Sequence, residues 1–166
     1  MKKILLLMLL CQALLSGCGA KTEPLPETEP AEIQMQIGNP WKDYDSTEAA
    51  ETACGLDFPL PDGVDNYSAE AYRVMNGQLM EVIYRLGDDK IVVRMSSGEG
   101  QDLSGVFETV TGTEVSELNG HSVTHQQLTG GSLHLISGKG FSYSLYAPNG
   151  YQYEADQVFL SLLCEP

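Results

Sequence analysis

The sequence contains few basic residues. Nine lysines and arginines stand against 23 aspartates and glutamates, which gives a formal net charge of −14 at pH 7. This imbalance argues against nucleic acid as a partner, because the phosphate backbone requires a basic surface. It also argues against a domain that lies flat on an anionic lipid surface, where basic residues strengthen attachment. The excess of acidic residues is otherwise typical of a soluble domain, since a net charge away from zero favours solubility.

A long hydrophobic run is also absent. The apolar stretch at residues 4–15 is interrupted by Gln12, whereas a spanning helix needs about 20 apolar residues to cross about 30 Å of hydrocarbon. Lys2 and Lys3 give this stretch a positive start, and small residues followed by Cys18 end it. This order is typical of a signal peptide that is removed from the mature protein.

The segment Leu15-Ser16-Gly17-Cys18 resembles the lipobox of bacterial lipoproteins. The resemblance implies that residues 1–17 are the signal peptide and that Cys18 becomes the new N-terminus, with a diacylglycerol on its thiol. Two acyl chains, at about 0.8 kcal/mol per buried methylene, give stable attachment to the extracytoplasmic face of the cell membrane. The alternative is an ordinary secretory signal, in which the cysteine stands at this position by chance.

Residues 18–38 are predicted to form a tether. The stretch at 21–30 is rich in proline, glutamate and threonine and offers almost nothing to bury. About 20 such residues reach about 25 Å as a flexible coil, and up to about 60 Å if they are extended. We therefore expect the domain that follows to stand clear of the lipid headgroups.

Cysteines are scarce, with four in the chain. Once Cys11 is lost with the signal peptide and Cys18 carries lipid, Cys54 and Cys164 remain. An even pair outside the cytoplasm permits a disulfide, which would require the first and last helices of the domain to be neighbours. The alternative is two small buried residues, which is how unpaired cysteines usually behave. Both interpretations stay open, because the sequence does not supply the distance that a bridge needs.

The remaining residues, 39–166, are enough for one domain with a single core. A short helix is predicted to begin at Asp45, which forms a capping box with Glu48, and to end at Gly55. A second helix is predicted from about Glu154 to near the end of the chain. Its apolar residues share one face at the helical period: Ala155, Val158, Phe159, Leu162 and Leu163.

Between the two helices the sequence predicts about seven strands. Asn76-Gly77 and Asn119-Gly120 are strong hairpin signals, and glycine-rich turns separate the other strands. The pattern predicts an α+β domain in which an antiparallel, meander-type sheet is packed by both helices on one face. The other face of the sheet, or one of its edges, is then the natural binding surface.

Three short motifs recur in a family of known domains. They are Asn39-Pro40-Trp41, the short helix that ends at Gly55, and the Asp-Leu-Ser-Gly segment at 102–105. On these motifs the chain resembles an uncharacterised extracytoplasmic domain of gut-type Gram-positive bacteria, which occurs on lipoproteins and behind single membrane anchors in envelope-regulatory proteins. The resemblance covers about residues 39–163. It implies an α+β fold and no established catalytic activity, and so it assigns no catalytic residues.

The histidines do not predict a metal site. His121 and His125 are four residues apart, a spacing that on a helix would place two imidazoles on one metal. The neighbouring Asn-Gly turn and β-branched residues predict a strand instead, on which the two side chains lie about 13 Å apart. His134 can approach across a hairpin, but exposed strand histidines are the expectation. The acidic pairs match no calcium loop, so we expect neither a metal nor another cofactor.

Asp102 and Ser104 raise the question of a serine nucleophile. A Gly-x-Ser-x-Gly elbow is absent, and no Ser/His/acid set is legible in the sequence. The two side chains are therefore predicted to bond to local backbone groups at a turn. The alternative is an envelope hydrolase, which would require Asp102, Ser104 and one of the histidines to converge in a pocket.

Five aromatic residues form a candidate interface. Trp41 stands at the start of the domain, and Tyr143, Tyr146, Tyr151 and Tyr153 crowd the end of the sheet. Aromatic side chains are favoured anchors of protein interfaces. Ordinary packing within the sheet is the alternative.

The sequence thus predicts a membrane-anchored lipoprotein that presents a non-catalytic binding or regulatory domain outside the cytoplasmic membrane. We expect its partner to be another protein of the cell envelope. The sequence does not identify that partner.

Overall fold

Strands make up most of the domain. The computed structural model describes residues 39–148 and 153–165, all within the unit Gly38–Pro166. In chain order the elements are β1 (Trp41–Tyr44), α1 (Thr47–Cys54), β2 (Gly63–Val64), β3 (Tyr67–Met75), β4 (Leu79–Leu86), β5 (Asp89–Ser97), β6 (Val110–Leu118), β7 (His121–Leu128), β8 (Ser132–Gly138), β9 (Phe141–Ala147) and α2 (Tyr153–Leu163).

The strands form one antiparallel sheet. Its order is β1-β3-β4-β5-β9-β8-β7-β6, and β2 pairs with β3 beside this path. Two meanders, β3 to β5 and β6 to β9, meet where β5 pairs with β9. The predicted antiparallel meander with two helices is confirmed, whereas the prediction of about seven strands is wrong because β1 and β2 were missed. Both are short, and strands of four and two residues carry too little alternation to be recognised.

Tight turns set the register of the hairpins. Asn76 and Gly77 have φ angles of 54° and 67°, and Asn119 and Gly120 have 50° and 81°. Two successive residues with positive φ define a turn whose twist matches the flanking strands, which confirms both predicted hairpins. Lys139 also has a positive φ of 53°, a conformation that is uncommon for a residue with a long side chain.

The first helix begins one residue later than predicted. Ser46, and not Asp45, is the N-cap, and its hydroxyl oxygen accepts a hydrogen bond from the Ala49 amide at 3.2 Å. The predicted end is confirmed: Gly55 has a φ of 69° and its amide donates to the Glu51 carbonyl at 2.7 Å. A side-chain oxygen at the N-cap and a left-handed glycine at the other end satisfy backbone groups that the helix leaves unpaired.

The core lies between one face of the sheet and residues of both helices. Ala50 of α1 and Phe159 of α2 belong to the same cluster of buried residues as alternate side chains of β4 and β5. The Phe159 ring packs edge-on against Tyr84 at 5.0 Å and against Tyr67 at 5.9 Å. Helix packing differs in detail from the prediction, because Val158 is exposed and Leu160 takes its place in the core.

Candidate functional site: the exposed edge of the sheet

A buried carboxylate fixes the connection between β5 and β6, residues 98–109, to the sheet. Glu81 of β4 is 3% exposed and accepts hydrogen bonds from Arg94 Nε at 2.8 Å and Arg73 Nη1 at 3.4 Å. The Arg94 guanidinium also donates to the backbone carbonyls of Leu103 and Ser104. Arg94 therefore joins the connection to the face of the sheet that lies opposite the core.

A local turn follows within this connection. Asp102 Oδ1 accepts from the Ser104 amide at 2.9 Å and from the Ser104 hydroxyl at 2.7 Å, and Ser104 Oγ accepts from the Val106 amide at 3.2 Å. This confirms the predicted turn. The three histidines lie on the core face of the sheet, as the β7–β8–β9 register requires, so the structure does not bring Asp102 and Ser104 to a histidine.

Glu108 attaches the end of the connection to the sheet. Its carboxylate accepts hydrogen bonds from the Tyr146 hydroxyl, from the Gly130 amide at 2.7 Å and from the Thr129 hydroxyl at 3.4 Å. The hydrogen bond from Tyr146 lowers the pKa of Glu108. Burial and the Glu108 carboxylate together raise the pKa of Tyr146 to about 12. Tyr146 is one of the predicted interface residues. In the structure its hydroxyl helps to hold the 98–109 connection against the sheet.

Phe107 projects into solvent from this fixed segment. Its side chain is 99% exposed, although the residues on both sides of it are held by the Ser104 and Glu108 hydrogen bonds. An aromatic ring in water loses the stabilisation that burial of its apolar area would give. Because the residues on both sides of Phe107 are held by hydrogen bonds, its exposed ring belongs to an ordered part of the surface.

More apolar side chains are exposed on the adjacent strand. Strand β6 is the last strand of the sheet and, among the described residues, pairs with β7 alone. Val115 is 70% exposed, and Val110 and Leu118 are also exposed. These three side chains and Phe107 make up four of the six large hydrophobic residues that are exposed in the described ranges. We call Phe107, Val110, Val115 and Leu118 the edge surface.

A cavity of about 330 Å³ opens beside the edge surface, between β6 and α2. Val115 and Leu118 of the edge surface line it, together with both polar and apolar residues of β6, β7, β8 and α2. A second cavity of about 410 Å³ adjoins it and shares Glu114 and His125. Alongside Leu118 the residues that line the first cavity are Glu114, Val115, Ser116, Glu117, Val123, His125, His134, Gln157 and Leu160.

Hydrogen bonds near both ends of α2 hold this wall of the cavity. Asp156 is fully buried, and its Oδ2 accepts from the Ser132 hydroxyl at 2.8 Å and lies 3.1 Å from His134 Nε2. At the other end, the Asn119 side-chain amide donates to the Cys164 carbonyl at 2.9 Å. The helix is thus attached to β8 and to the β6–β7 turn.

The residue types at Asp156 match those of a Ser-His-Asp triad, but their order differs. In a triad the histidine stands between the serine and the acid, whereas here Asp156 stands between Ser132 and His134. Ser132 is also fully buried. The cluster serves to attach α2 to the sheet.

The prediction of exposed histidines is wrong for two of the three. His121 and His134 are buried, and His125 is half-buried. His125 and His134 face each other across β7 and β8, with ring centroids 4.5 Å apart. Burial and His134 lower the pKa of His125, while Asp156 and Glu114 oppose this shift. Within residues 39–148 and 153–165, no three histidine, cysteine or acidic side chains are placed to share a metal ion.

His121 gives a pH-dependent prediction. Burial, and then Lys139, lower its pKa from 6.5, and neither ring nitrogen has a hydrogen-bond partner among the described residues. As the pH falls below 6.5, the unfolded chain binds a proton at His121 before the folded chain does, so stability falls. We expect the free energy of unfolding to drop less between pH 8 and pH 5 in His121→Leu than in the wild-type protein. Equal drops in urea titrations at the two pH values would contradict this.

The three members of the predicted aromatic interface whose side chains the structure describes do not share one surface. Trp41 lies 5.3 Å from the Arg94 guanidinium, so it takes part in the network around Glu81. Tyr143 is 5% exposed, on the core face beside His121. Tyr151 and the side chain of Tyr153 lie outside the described residues. The exposed apolar residues of the edge surface were missed, because a valine in a strand gives no sign of being at a sheet edge.

The cysteines predicted as a possible bridge are free thiols in the structure. Cys54 is half-buried in α1, and Cys164 is buried directly after α2. Cys164 belongs to the core cluster, and Cys54 packs against it. Burial raises the pKa of the Cys164 thiol, which makes it less reactive.

The anchor lies outside the described residues. This applies to the signal peptide at 1–17, to Cys18 and to the tether at 18–38. Among the helices that the structure describes, none has the length and apolar character needed to span a bilayer.

Comparisons with known proteins add no assignment. No protein-family model, no curated protein and no solved structure matches this chain.

Proposed function

We propose that this protein is a membrane-anchored lipoprotein that holds a non-catalytic binding domain outside the cytoplasmic membrane. The observation that carries the proposal is the edge surface, where four large apolar side chains are exposed within twelve residues of an ordered segment. Large apolar side chains that are exposed together along one segment of a sheet edge are candidates for contact with a partner. The lipobox-like segment at Cys18 supplies the anchor, and the acidic tether at 18–38 allows the domain to extend away from the membrane.

The two edges of the sheet differ in a way that supports this proposal. Natural proteins protect edge strands by keeping them short or by placing lysine or proline on them. Edge strand β1 has four residues, includes Lys42 and follows Pro40. Edge strand β6 has nine residues and no lysine, arginine or proline. Strand β1 is thus the better protected edge, whereas β6, after a β-bulge between Val110 and Gly112, has no further strand beside it among the described residues.

Capture in living cells tests the binding function. We expect chemical crosslinking of the full-length protein, followed by mass spectrometry, to recover a reproducible envelope protein from cells with the wild-type chain. Val115→Lys should abolish that capture, because a lysine on the open edge restores a natural protection. Leu86→Lys is the matched control, since Leu86 is also an exposed apolar strand residue. Capture that survives Val115→Lys, or no captured protein at all, would contradict the proposal.

A second experiment tests the anchor. Cys18→Ser removes the thiol that the lipobox resemblance assigns to the diacylglycerol. We expect the variant to remain unprocessed or to leave the membrane fraction, and to incorporate no labelled fatty acid. Cys54→Ser serves as the control and should be labelled and fractionated as the wild-type protein is. Normal lipid labelling of Cys18→Ser would end the claim of an anchor at this residue.

A further inference from the structure

We propose that the partner segment at this edge is an extended, basic and apolar strand that adds to β6 as a further strand of the sheet. This inference rests on the proposed binding function and specifies its partner. Strand addition uses backbone hydrogen bonds for affinity and alternate side chains for specificity. Three features of β6 indicate the chemical character of the segment that binds there.

The first feature is the free backbone of β6. Eight of its nine residues are exposed, and within the described ranges the strand pairs only with β7. In an antiparallel ladder alternate residues direct their N–H and C=O groups to opposite sides. One set of these groups on β6 therefore faces away from β7 along the regular part of the strand, Gly112 to Leu118, and is available to a second strand.

The second feature is charge. The segment 107–118 contains Glu108, Glu114 and Glu117 and no basic residue. Glu108 is satisfied by its hydrogen bonds to the sheet. Glu114 and Glu117 take part in none of the ion pairs found among the described residues. Opposite charges across a strand pair are favourable, so a partner strand with basic residues opposite Glu114 and Glu117 matches this edge.

The third feature is the alternation of side chains along β6. By its register with β7, Glu114 shares a face with His125, whereas Val115 shares the opposite face with Thr124. Glu114 lines the cavity between β6 and α2. A long basic side chain placed opposite Glu114 would lie over this cavity, while an apolar side chain opposite Val115 would cover the most exposed valine of the strand.

A second copy of this chain fits the edge poorly. Antiparallel pairing of two β6 strands over their full length places Glu114 directly opposite its own symmetry copy, because it is the central residue of Val110–Leu118. Like charges in directly opposed positions destabilise a strand pair. The net charge of −14 adds repulsion between copies. A basic partner avoids both effects.

A designed probe tests the proposal on the full-length protein in nanodiscs of zwitterionic lipid, with empty nanodiscs as the blank. The probe is the peptide Val-Lys-Thr-Val-Lys-Thr-Thr-Thr-Val, which in antiparallel pairing places lysines opposite Glu117 and Glu114 and a valine opposite Val115. We expect it to bind at least about tenfold more tightly than the same peptide with glutamate in place of lysine. Glu114→Gln with Glu117→Gln should remove most of this preference, whereas Glu70→Gln, on β3, should leave it unchanged.

Backbone methylation separates strand addition from simple charge attraction. Two versions of the lysine peptide carry N-methyl groups on alternate amides, one on the odd and one on the even positions. Only one set of amides faces β6 in a strand pair, so we expect one version to lose binding and the other to keep it. Equal binding of both versions, no binding of the lysine peptide, or a protein dimer that forms through β6 in light scattering would overturn the inference. If Val115→Lys abolishes capture in cells while the peptides fail, this inference falls and the proposed function stands.

Discussion

Replacing Glu81 by alanine is expected to lower the free energy of unfolding by about 3–5 kcal/mol, because it leaves the largely buried Arg94 guanidinium without its counter-ion. Glu81 is 3% exposed and is the carboxylate that Arg94 and Arg73 share. The same network carries the backbone contacts to the 98–109 connection. Urea unfolding of the chain from Gly19 onward, followed by the fluorescence of the single tryptophan and by circular dichroism, measures the loss.

An exposed ion pair on the same sheet supplies the control for Glu81. Glu70 lies 2.7 Å from Arg85, but both side chains are about half exposed. Glu70→Ala should therefore change the free energy of unfolding by less than about 1 kcal/mol, because water screens the pair. Similar losses in Glu70→Ala and Glu81→Ala would show that the buried network does not hold the connection.

The second large effect is expected in the core under α2. Phe159→Ala should lower the free energy of unfolding by about 3–5 kcal/mol, since it removes a fully buried ring and leaves a cavity. Phe159 is 0% exposed and packs against Tyr84 and Tyr67. The same urea titration measures it.

Val158 is the matched control for this helix. It is the neighbouring residue, and its side chain is exposed, so Val158→Ala should cost about 1 kcal/mol or less. A small loss for Phe159→Ala together with a large loss for Val158→Ala would mean that α2 does not pack on the sheet through the face that contains Phe159.

Local signals made most of the fold predictable. The Asn-Gly turns at 76–77 and 119–120, the glycine at the end of α1 and the alternation along seven strands are properties of neighbouring residues, and each appears in the structure as predicted. The short strands β1 and β2 depend on pairing with β3. Pairing partners that are distant in the chain leave no local pattern, which is why these strands were missed.

The candidate site was harder to predict, because it depends on strand order. Val115 and Glu114 look like ordinary strand residues, and only the position of β6 at the end of the sheet makes them exposed. Tyr143 shows the converse, since an aromatic that suggested an interface is buried against the core. The burial of His134 also depends on tertiary structure, because helix α2 covers the strand face on which this residue lies.

Site-specific photocrosslinking in living cells tests the central claim, that β6 is the binding edge, most directly. The full-length protein would carry a photoreactive benzoylphenylalanine in place of Val115 or, as the control, in place of Leu86; both positions are exposed. We predict that illumination links the protein to a partner from position 115 and not from position 86. Crosslinks from position 86 alone, equal crosslinks from both positions, or none from position 115 would contradict the account.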